Sequence, residues 1–167
     1  LGPSWEAIEK AEDRELFEKA CASLNISRPL GGRFRSKAEA HALSKKLGFP
    51  TIIRPSFVLG GRAMEVVWNE SELDGALDDL LQKADGLDLY MDQFLFGKEA
   101  EVDLISDGVH CFIPGILEHI EKAGVHSGDS MAVYPPQELS VKIQKQIIED
   151  SKRLTLALGL KGPVNFQ

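Results

Sequence analysis

The sequence of 167 residues predicts an α+β fold, and three observations lead to that prediction. Amphipathic segments with one apolar stripe at helical spacing recur along the chain. Short β-forming runs lie between them. Two of these runs, EVDLIS and VHCFI, are joined by Asp107-Gly108, a dipeptide typical of β-hairpin turns. The chain shows neither an internal repeat nor a low-complexity linker.

The first third of the chain predicts two helices and then a strand. Apolar residues at helical spacing indicate a helix over about 12 to 24. A second helix begins at Ser36, which forms a capping-box pattern with Glu39, and it ends at the Gly-Phe-Pro that follows. The run TIIRPSF then predicts a strand. Because Pro55 has no N–H to donate, that strand end should lie at a sheet edge or where pairing stops.

The rest of the chain predicts more strands and two further helices. MEVVW and LDLYMDQFL read as strands on either side of a helix over 71 to 83. GILEHIE is expected to continue the second strand of the hairpin. A long helix is predicted over 140 to 158, with Gly159 as its C-cap. The apolar stripes of these two helices are Leu73, Leu77, Leu80 and Leu81 in the first, and Ile143, Ile147, Leu154 and Leu158 in the second.

The last run, GPVNFQ, begins a strand at the end of the sequence. Since the sequence stops at Gln167 without a turn, we expect this strand to be unfinished and without a partner. The chain also begins without Met, so we interpret it as a piece of a longer protein.

Composition limits the classes of function. The net charge of −7 and the pI of about 5.1 argue against binding of nucleic acid, although a few local arginines could hold a small anion. No apolar run approaches the roughly 20 residues of a membrane span, and no signal peptide opens the chain. Cys21 and Cys111 lack the spacing of a redox or zinc pair. We therefore expect a cytoplasmic protein with both cysteines reduced and buried.

Residues 54 to 65, RPSFVLGGRAME, combine a strand end with paired glycines and an arginine on each side. Strand, glycine loop, strand is the layout of a flap whose N–H groups can close over phosphates. It is not a Walker A loop, because GK[ST] and a following helix are missing. An ordinary hairpin turn with an exposed arginine has the same pattern, so this stretch alone leaves both interpretations open.

Residues 117 to 130, LEHIEKAGVHSGDS, gather polar side chains among small residues. A metal site with His126 and Asp129 is one interpretation, but the spacing matches no zinc pattern. A hydrolase with a serine nucleophile is disfavoured because no G-x-S-x-G elbow is present. The polar residues of this stretch are Glu118, His119, Glu121, His126, Ser127, Asp129 and Ser130.

A third polar stretch, LDLYMDQFLFGKEAEVD, places Glu101 and Asp103 on one face of a strand. Two carboxylates there could bind the hydroxyls of a sugar or a metal ion. A solvated strand face gives the same pattern.

Taken together, five strings in this order and spacing resemble the large chain of carbamoyl-phosphate synthetase. They are EDRELF, GFPTIIRPSFVLGGRAMEVV, AEVDLISDG, EHIEKAGVHSGDS and GPVNFQ, and the resemblance covers nearly the whole chain. GGRAME and EHIEKAGVHSGDS resemble the C-terminal half of that enzyme, which phosphorylates carbamate. The resemblance implies an ATP-grasp fold with an N-terminal helical segment at 1–35, a small lobe at 36–95 and an incomplete large lobe at 96–167.

The resemblance also implies a function. It indicates an ATP-dependent ligase that uses ATP, Mg²⁺ or Mn²⁺, and carbamate to make carbamoyl phosphate for pyrimidine and arginine biosynthesis. Its partners would be the remainder of the large chain and a glutaminase small chain, with no nucleic acid and no membrane. Two alternatives remain: another ATP-grasp carboxylate ligase such as biotin carboxylase, against which HSGDS argues, or a non-catalytic interaction module with a decayed nucleotide site.

Residue roles follow from the same resemblance. An arginine in RPS reaches the ATP phosphates in the family, a glycine flap covers them, and the strand DQFL is the hinge that meets adenine. These roles fall on Arg54 and Arg14 as catalytic arginines; Gly60 and Gly61 in the flap, with Arg62 beside them; Gln93 and the backbone of Leu95 at adenine; Glu101 at the ribose; Gly124, Val125, His126 and Ser127 along the nucleotide; and Gln167 at the metal.

The sequence departs from the family pattern in two places. The strand with a pattern like IEVNPR, whose glutamate and asparagine hold metal ions in the family, does not occur before Gln167. We therefore expect these 167 residues alone to be inactive in carbamoyl phosphate synthesis. Relatives vary at the position of Gln93, which weakens its assignment to adenine.

Overall fold

The chain forms two compact units in the computed structural model, which describes residues 2–55, 64–83, 88–122 and 130–167, with backbone alone at 82, 83 and 122. The central unit is Pro29–Leu95, and the terminal unit combines Leu1–Arg28 with Phe96–Gln167. Helices and antiparallel strands are interspersed in both, which confirms the α+β prediction. The predicted small lobe, 36–95, lies within the central unit, and the predicted three-part division itself stays a prediction.

The central unit is a four-stranded antiparallel sheet with two helices. Strands β1 and β3 lie at the edges, in the order β1-β4-β2-β3. Its described elements are β1 (Gly31–Phe34), α3 (Lys37–Leu47), β2 (Thr51–Pro55), β3 (Glu65–Val67), α4 (Glu70–Lys83) and β4 (Leu89–Gln93).

Local signals in the sequence place these elements correctly. The Ser36 hydroxyl accepts from the N–H of Glu39, so the predicted cap of α3 is confirmed. The Glu39 carboxylate in turn accepts from the N–H of Arg35 at 2.7 Å. Pro55 pairs with Leu89 of β4, and the described pairing of β2 with β3 covers Thr51 to Ile53. The position of β3 that this register would place opposite Pro55 lies outside the described residues, so the predicted end of pairing at Pro55 stays a prediction.

One face of this sheet and its two helices enclose the core of the central unit. The predicted stripe of α4 is confirmed, because its leucines are buried in this core, Leu81 partly. The buried residues are Phe34, Ala40, Ile53, Val67, Leu73, Ala76, Leu77, Leu80, Leu89 and Met91.

Gly31, in edge strand β1, lies against the end of β4 and should not accept a larger residue. A Cβ added there would lie 1.8 Å from Asp92 Oδ1 and 2.8 Å from the Met91 carbonyl oxygen. We expect Gly31→Ala to lower the free energy of unfolding by about 1–3 kcal/mol, the usual cost of overpacking. Gly75→Ala is the matched control, since a Cβ on that helical glycine meets open space and alanine favours the helix. Urea unfolding of both variants measures the difference, and an unchanged stability for Gly31→Ala would contradict the expectation.

The terminal unit begins with two helices and continues with a sheet and a long helix. Its described elements are α1 (Trp5–Glu12), α2 (Arg14–Ser23), β5 (Lys98–Ser106), β6 (Cys111–Phe112), β7 (Leu117–Lys122), β8 (Ala132–Val133), α5 (Val141–Leu158) and β9 (Gly162–Phe166). Strand β5 is the centre of the sheet, because it pairs antiparallel with β6, β7 and β9. Helix α1 was not predicted, and Asp13 separates it from α2, whose first turn it caps.

The predicted Asp107-Gly108 hairpin is present. The N–H groups of His110 and Val109 donate to Asp107 Oδ1 at 2.6 and 2.7 Å, and these bonds lower the pKa of Asp107 to about 2. Gly108 has a φ of 93°, the left-handed region that glycine adopts without strain. Residues 113–116 interrupt the predicted long second strand, so β6 and β7 pair with β5 as separate strands.

Three expectations about the terminal unit are wrong. The last strand has a partner: Val102–Ser106 of β5 pairs with all five residues of β9. Ile143 is 49% exposed, so the buried stripe of α5 begins further along the helix and includes Leu154 and Leu158. Cys111 is only half-buried, whereas Cys21 is buried in the cluster with Leu154 and Leu158.

The terminal unit has two core clusters that share residues of one strand. Leu154 and Leu158 pack with Ala7 and Cys21 in one cluster, and Val102, Leu104 and Ile116 form another. Val164 and Phe166 of β9 contact both. Among the helices that the structure describes, none has the length and apolarity to cross a bilayer.

Candidate functional site

Arg54 lies on β2 beside a buried carboxylate. Its Nε is 3.7 Å from Asp92 Oδ2, and the Arg54 side chain is 38% exposed. Ile52 is the residue that pairs with Asp92, so Arg54 reaches it diagonally across two neighbouring strands. At 3.7 Å this is a loose ion pair, which orients the guanidinium without covering it. Arg54 can therefore offer N–H donors to an anion while staying aligned by Asp92.

The end of β4 holds the two residues assigned to adenine. The N–H of Gln93 donates to the Leu30 carbonyl at 2.8 Å, and the N–H of Phe94 donates to the Pro50 carbonyl at 3.0 Å. The N–H groups of Gln93 and Phe94 are therefore both engaged in backbone hydrogen bonds. Leu95 follows with a side chain that is 53% exposed, and no hydrogen bond within the described ranges engages its N–H or C=O. A free adjacent donor and acceptor is what the edge of a planar base can bind.

Glu101 belongs to a cluster of polar side chains on β5, β7 and the chain end. His119 Nε2 lies 2.9 Å from Glu101 Oε1, and Gln167 Nε2 lies 3.5 Å from the same oxygen. His119 Nδ1 lies 3.4 Å from Glu99 Oε2. The His119 side chain is 2% exposed, whereas Glu101 keeps partial access to solvent. The carboxylate of Glu101 is thus fixed from inside the protein and reachable from outside.

The register of the sheet explains why these residues meet. Glu101 pairs with Leu117, so Glu99, Glu101, Leu117 and His119 share one face. Between Lys98 and Ala100 the β5–β7 register shifts, as at a β-bulge. Glu118, the next residue on β7, points to the other face.

Glu118 anchors the segment that leads into α5. Its Oε2 accepts from the N–H groups of Gln137, Glu138 and Leu139 at 2.9, 2.9 and 3.2 Å. Lys98 Nζ lies 3.6 Å from Glu118 Oε1. The bond from the Glu138 N–H does most to lower the pKa of Glu118 below its ordinary 4.5; the other two N–H groups and Lys98 act in the same direction, and desolvation opposes them. This buried carboxylate has a structural role.

Glu118 should make the fold sensitive to acid. A carboxyl whose pKa is lower in the folded than in the unfolded chain stabilises the fold above the unfolded pKa, and that contribution is lost as pH falls through the folded pKa. Glu118→Gln should therefore lower the midpoint of thermal unfolding at pH 7 by several degrees, and the difference from the parent should shrink below about pH 4.5. Glu149→Gln, on the exposed side of α5, is the control. A difference that stays the same at pH 7 and pH 3 would contradict this account.

Arg14 lies at the start of α2, where a carboxylate holds it. Its Nε donates to Glu18 Oε1 at 2.9 Å, and Arg28 Nη1 lies 3.0 Å from that oxygen. Glu18 therefore neutralises part of two positive charges. An anion near Arg14 would add to this network or compete with Glu18.

Gln167, the residue assigned to the metal ion, lies beside Glu101. The carbonyl oxygen of Gln167 is one potential ligand, since Nε2 of the same amide points to Glu101. In the described ranges no group of three or more His, Cys, Asp or Glu side chains could hold a metal ion. These residues alone do not make a metal site.

Several assigned residues lie outside the described residues. They are Gly60, Gly61, Gly124, Val125, His126 and Ser127, together with Arg62 and Asp129 from the two polar stretches. Of the assigned residues that are described, Glu101 and Gln167 are brought together. Sequence reasoning missed His119, Glu99 and Asp92 as neighbours of the assigned residues. His119 stands out in LEHIE, but its partners are 18 and 20 positions away.

Comparison with known proteins gives one matching family and many similar folds. The family "Carbamoyl-phosphate synthase L chain, ATP binding domain" matches residues 13–167. A biotin carboxylase–β,γ-ATP complex from Campylobacter jejuni has a TM-score of 0.82 at 22% identity, covering 99% of this chain and 38% of that chain. D-alanyl-alanine synthetase A from Vibrio cholerae has a TM-score of 0.82 at 13% identity, with 99% and 53% covered. N5-carboxyaminoimidazole synthase from Aspergillus clavatus, in complex with ADP and 5-aminoimidazole ribonucleotide, has a TM-score of 0.80 at 16% identity, with 98% and 42% covered.

The structural similarities establish the fold. All three identities lie below 25%, so they show the ATP-grasp fold and leave the activity open. The predicted ATP-grasp fold and the resemblance to the carbamoyl-phosphate synthetase large chain are both confirmed. The chain spans between 38% and 53% of the length of these three proteins.

Proposed function

Because the chain belongs to the carbamoyl-phosphate synthase L chain ATP-binding domain family, we propose that it binds ATP and that its protein phosphorylates carbamate to give carbamoyl phosphate. The family match over residues 13–167 carries the proposal. The choice of carbamate follows from GGRAME and EHIEKAGVHSGDS, which resemble the carbamate half of the synthetase.

The adenine contact is proposed for the backbone of Leu95. Its N–H and C=O have no hydrogen-bond partner within the described part of the chain, and they follow a segment fixed by the bonds of Gln93 and Phe94. A base could pair with them without breaking an existing hydrogen bond. Gln93 would lie beside the base, with its side chain adding a polar contact.

The ribose contact is proposed for Glu101. An ionised carboxylate accepts hydrogen bonds and cannot donate them, so it suits the two adjacent hydroxyls of a ribose. Its Oε1 already faces His119 and Gln167, which leaves Oε2 for the sugar.

The phosphate contacts are proposed for Arg54 and Arg14. Phosphoryl transfer needs positioning of the reactants and stabilisation of charge, and no protein nucleophile is required. Arg54 suits this role because its guanidinium is partly exposed and held in place by Asp92. Gly60, Gly61 and the stretch Gly124 to Ser127 would complete the nucleotide site.

Magnesium or manganese would supply charge neutralisation at the transferring phosphates when bound. Gln167 is the residue proposed to hold it, through its amide oxygen. The described residues do not make a metal site by themselves, so further ligands would have to come from elsewhere in the protein. A glutaminase small chain, the remainder of a large chain and a cytoplasmic location are part of the same proposal.

Two measurements test the proposal. Isothermal titration calorimetry should detect ATP binding, with preference over GTP because the backbone of Leu95 would read the edge of the base. The protein that carries this chain should then make ATP from ADP and carbamoyl phosphate, releasing carbamate. Absence of nucleotide binding would reject the whole proposal and would favour a non-catalytic module.

Biotin carboxylase activity is the alternative function that has to be distinguished from phosphorylation of carbamate. Its signature is ATP hydrolysis that requires both bicarbonate and biotin. If the protein shows that dependence and makes no ATP from carbamoyl phosphate, the carbamate assignment is wrong while ATP binding stands.

A further inference from the structure

Arg14 occupies a position in α2 that is unfavourable for a cation. It is the first residue of the helix, directly after the cap Asp13, whose Oδ1 accepts from the N–H of Leu16 at 2.8 Å. The aligned peptide dipoles make this end of a helix positive, so an arginine there lowers helix stability. Its partner Glu18 lies four residues further along, and a pair with the cation first is the less favourable order. Helix stability alone therefore does not account for this pair.

The contact with Glu18 constrains the direction of the Arg14 guanidinium. Arg14 Nε donates to Glu18 Oε1 at 2.9 Å, the distance of a good charge-assisted hydrogen bond. The two side chains are only 19% and 26% exposed, so water competes less for them than for a fully exposed pair. Since the guanidinium is planar, holding it at Nε also restricts the directions of the four N–H bonds on Nη1 and Nη2.

Arg28 gives the Glu18 carboxylate a second donor. Its Nη1 lies 3.0 Å from the same Oε1 that accepts from Arg14. A carboxylate oxygen with two donors stays in place when one of them turns towards a ligand. The helix that carries Glu18 is itself anchored, because Cys21 of α2 packs with Leu154 and Leu158 of α5. Glu18 is therefore a fixed point against which an arginine can be aligned.

We propose that Glu18 is a positioning residue: its carboxylate orients Arg14 so that the guanidinium meets the transferring phosphoryl group in a reactive geometry. The inference rests on the proposed role of Arg14 at the phosphates. Glu18 itself does not touch the nucleotide, since a carboxylate and a phosphate are both anionic; it acts through Arg14. Without Glu18, the long arginine side chain would have to be ordered at each turnover, and the rotamer freedom lost in that step would raise the barrier.

Competition for Arg14 would have the opposite effect on the rate. If Glu18 only occupied the guanidinium, its removal would release Arg14 for the phosphates and raise kcat. If Glu18 orients the guanidinium, its removal lowers kcat. Two substitutions separate geometry from charge: Glu18→Gln keeps the length and an acceptor oxygen without the charge, and Glu18→Asp keeps the charge on a side chain one methylene shorter.

The test measures kcat and KM for ATP synthesis from ADP and carbamoyl phosphate in the protein that carries this chain. Glu18→Ala and Glu18→Asp should lower kcat by about tenfold, with the KM for ADP changed by less than about threefold. Glu18→Gln should keep kcat within about threefold of the parent, because the amide oxygen still accepts from Arg14 Nε. Glu15→Ala, at an exposed glutamate of the same helix, is the matched control and should leave both parameters unchanged. Thermal unfolding of each variant checks the fold.

A double variant tests whether Glu18 acts through Arg14. Adding Glu18→Ala to Arg14→Ala should change kcat by less than about twofold, since the residue to be positioned is already missing. A further loss of about tenfold in the double variant would overturn the inference, because Glu18 would then act independently of Arg14. Recovery by Glu18→Asp and not by Glu18→Gln, or a parental or higher kcat in Glu18→Asp, would also overturn it. The last two results decide the question even if Glu18→Ala fails to fold.

Failure of the underlying proposals looks different. If Arg14→Ala keeps the parental kcat, the role of Arg14 at the phosphates is wrong, and the inference about Glu18 falls with it. If the parent makes no ATP from carbamoyl phosphate, the proposed reaction is wrong.

Discussion

Arg54→Ala should lower the rate of ATP synthesis from ADP and carbamoyl phosphate by about 10²–10³-fold, with the fold almost unchanged. The guanidinium lies at the strand end beside the flap sequence and keeps 38% exposure, so an anion can reach it. A charge-assisted hydrogen bond to a phosphoryl group that gains charge in the transition state is among the strongest contacts that a side chain makes. The measurement is kcat and kcat/KM for the reverse partial reaction.

The stability of this variant should fall only slightly. The contact with Asp92 is long, at 3.7 Å, and loose exposed ion pairs contribute about 1 kcal/mol or less. Arg54→Lys should recover part of the activity, because an ammonium supplies the charge without the planar fork. Arg35→Ala is the control: Arg35 pairs with Asp88 near the same sheet and is more exposed. Full activity of Arg54→Ala at saturating ATP would contradict the proposed contact between Arg54 and the ATP phosphates.

Glu101→Gln should raise the KM for ATP by about tenfold to a hundredfold and leave the magnesium dependence nearly unchanged. An amide has one acceptor oxygen where the carboxylate has two. His119 Nε2 and Gln167 Nε2 both face the Oε1 position, so the amide oxygen would turn to them and the NH₂ group would face the ribose. That NH₂ group cannot accept a bond from a hydroxyl.

The magnesium titration separates two roles for Glu101. A ribose contact predicts a change in ATP affinity at every magnesium concentration. A metal ligand predicts a large rise in the magnesium requirement with ATP affinity unchanged, and that result would place Glu101 at the metal. Glu138→Gln is the control, because this exposed carboxylate pairs with Lys98 in the same unit.

Several elements could be predicted because their signals are local. The Ser36 cap of α3, the Asp107-Gly108 turn and the Gly159 end of α5 each depend on residues within four positions of one another. The apolar stripe of α4 follows from a period of 3.6 residues. The five short sequence strings that resemble the carbamoyl-phosphate synthetase large chain were also enough to predict the family. The model of that family matches residues 13–167.

Features that join distant residues could not be predicted in this way. Strand β9 was expected to lack a partner, and it pairs with β5, about 60 positions earlier in the chain. The exposure of Ile143 depends on which part of α5 lies over the sheet, and helical periodicity cannot supply that. Helix α1 was missed because eight mostly polar residues give a weak periodic signal.

The same division applies to the candidate site. By itself the sequence determined the fold class, the caps, the hairpin and the identity of the assigned residues, because residue type and short spacing carry that information. Only the tertiary structure decided that Glu101 is held by His119 and Gln167, that Asp92 stands beside Arg54, and that Glu118 binds three N–H groups of residues 137–139. The physical reason is that hydrogen bonds and ion pairs act over about 3–4 Å in space, and the register of strands far apart in the sequence determines which side chains come that close.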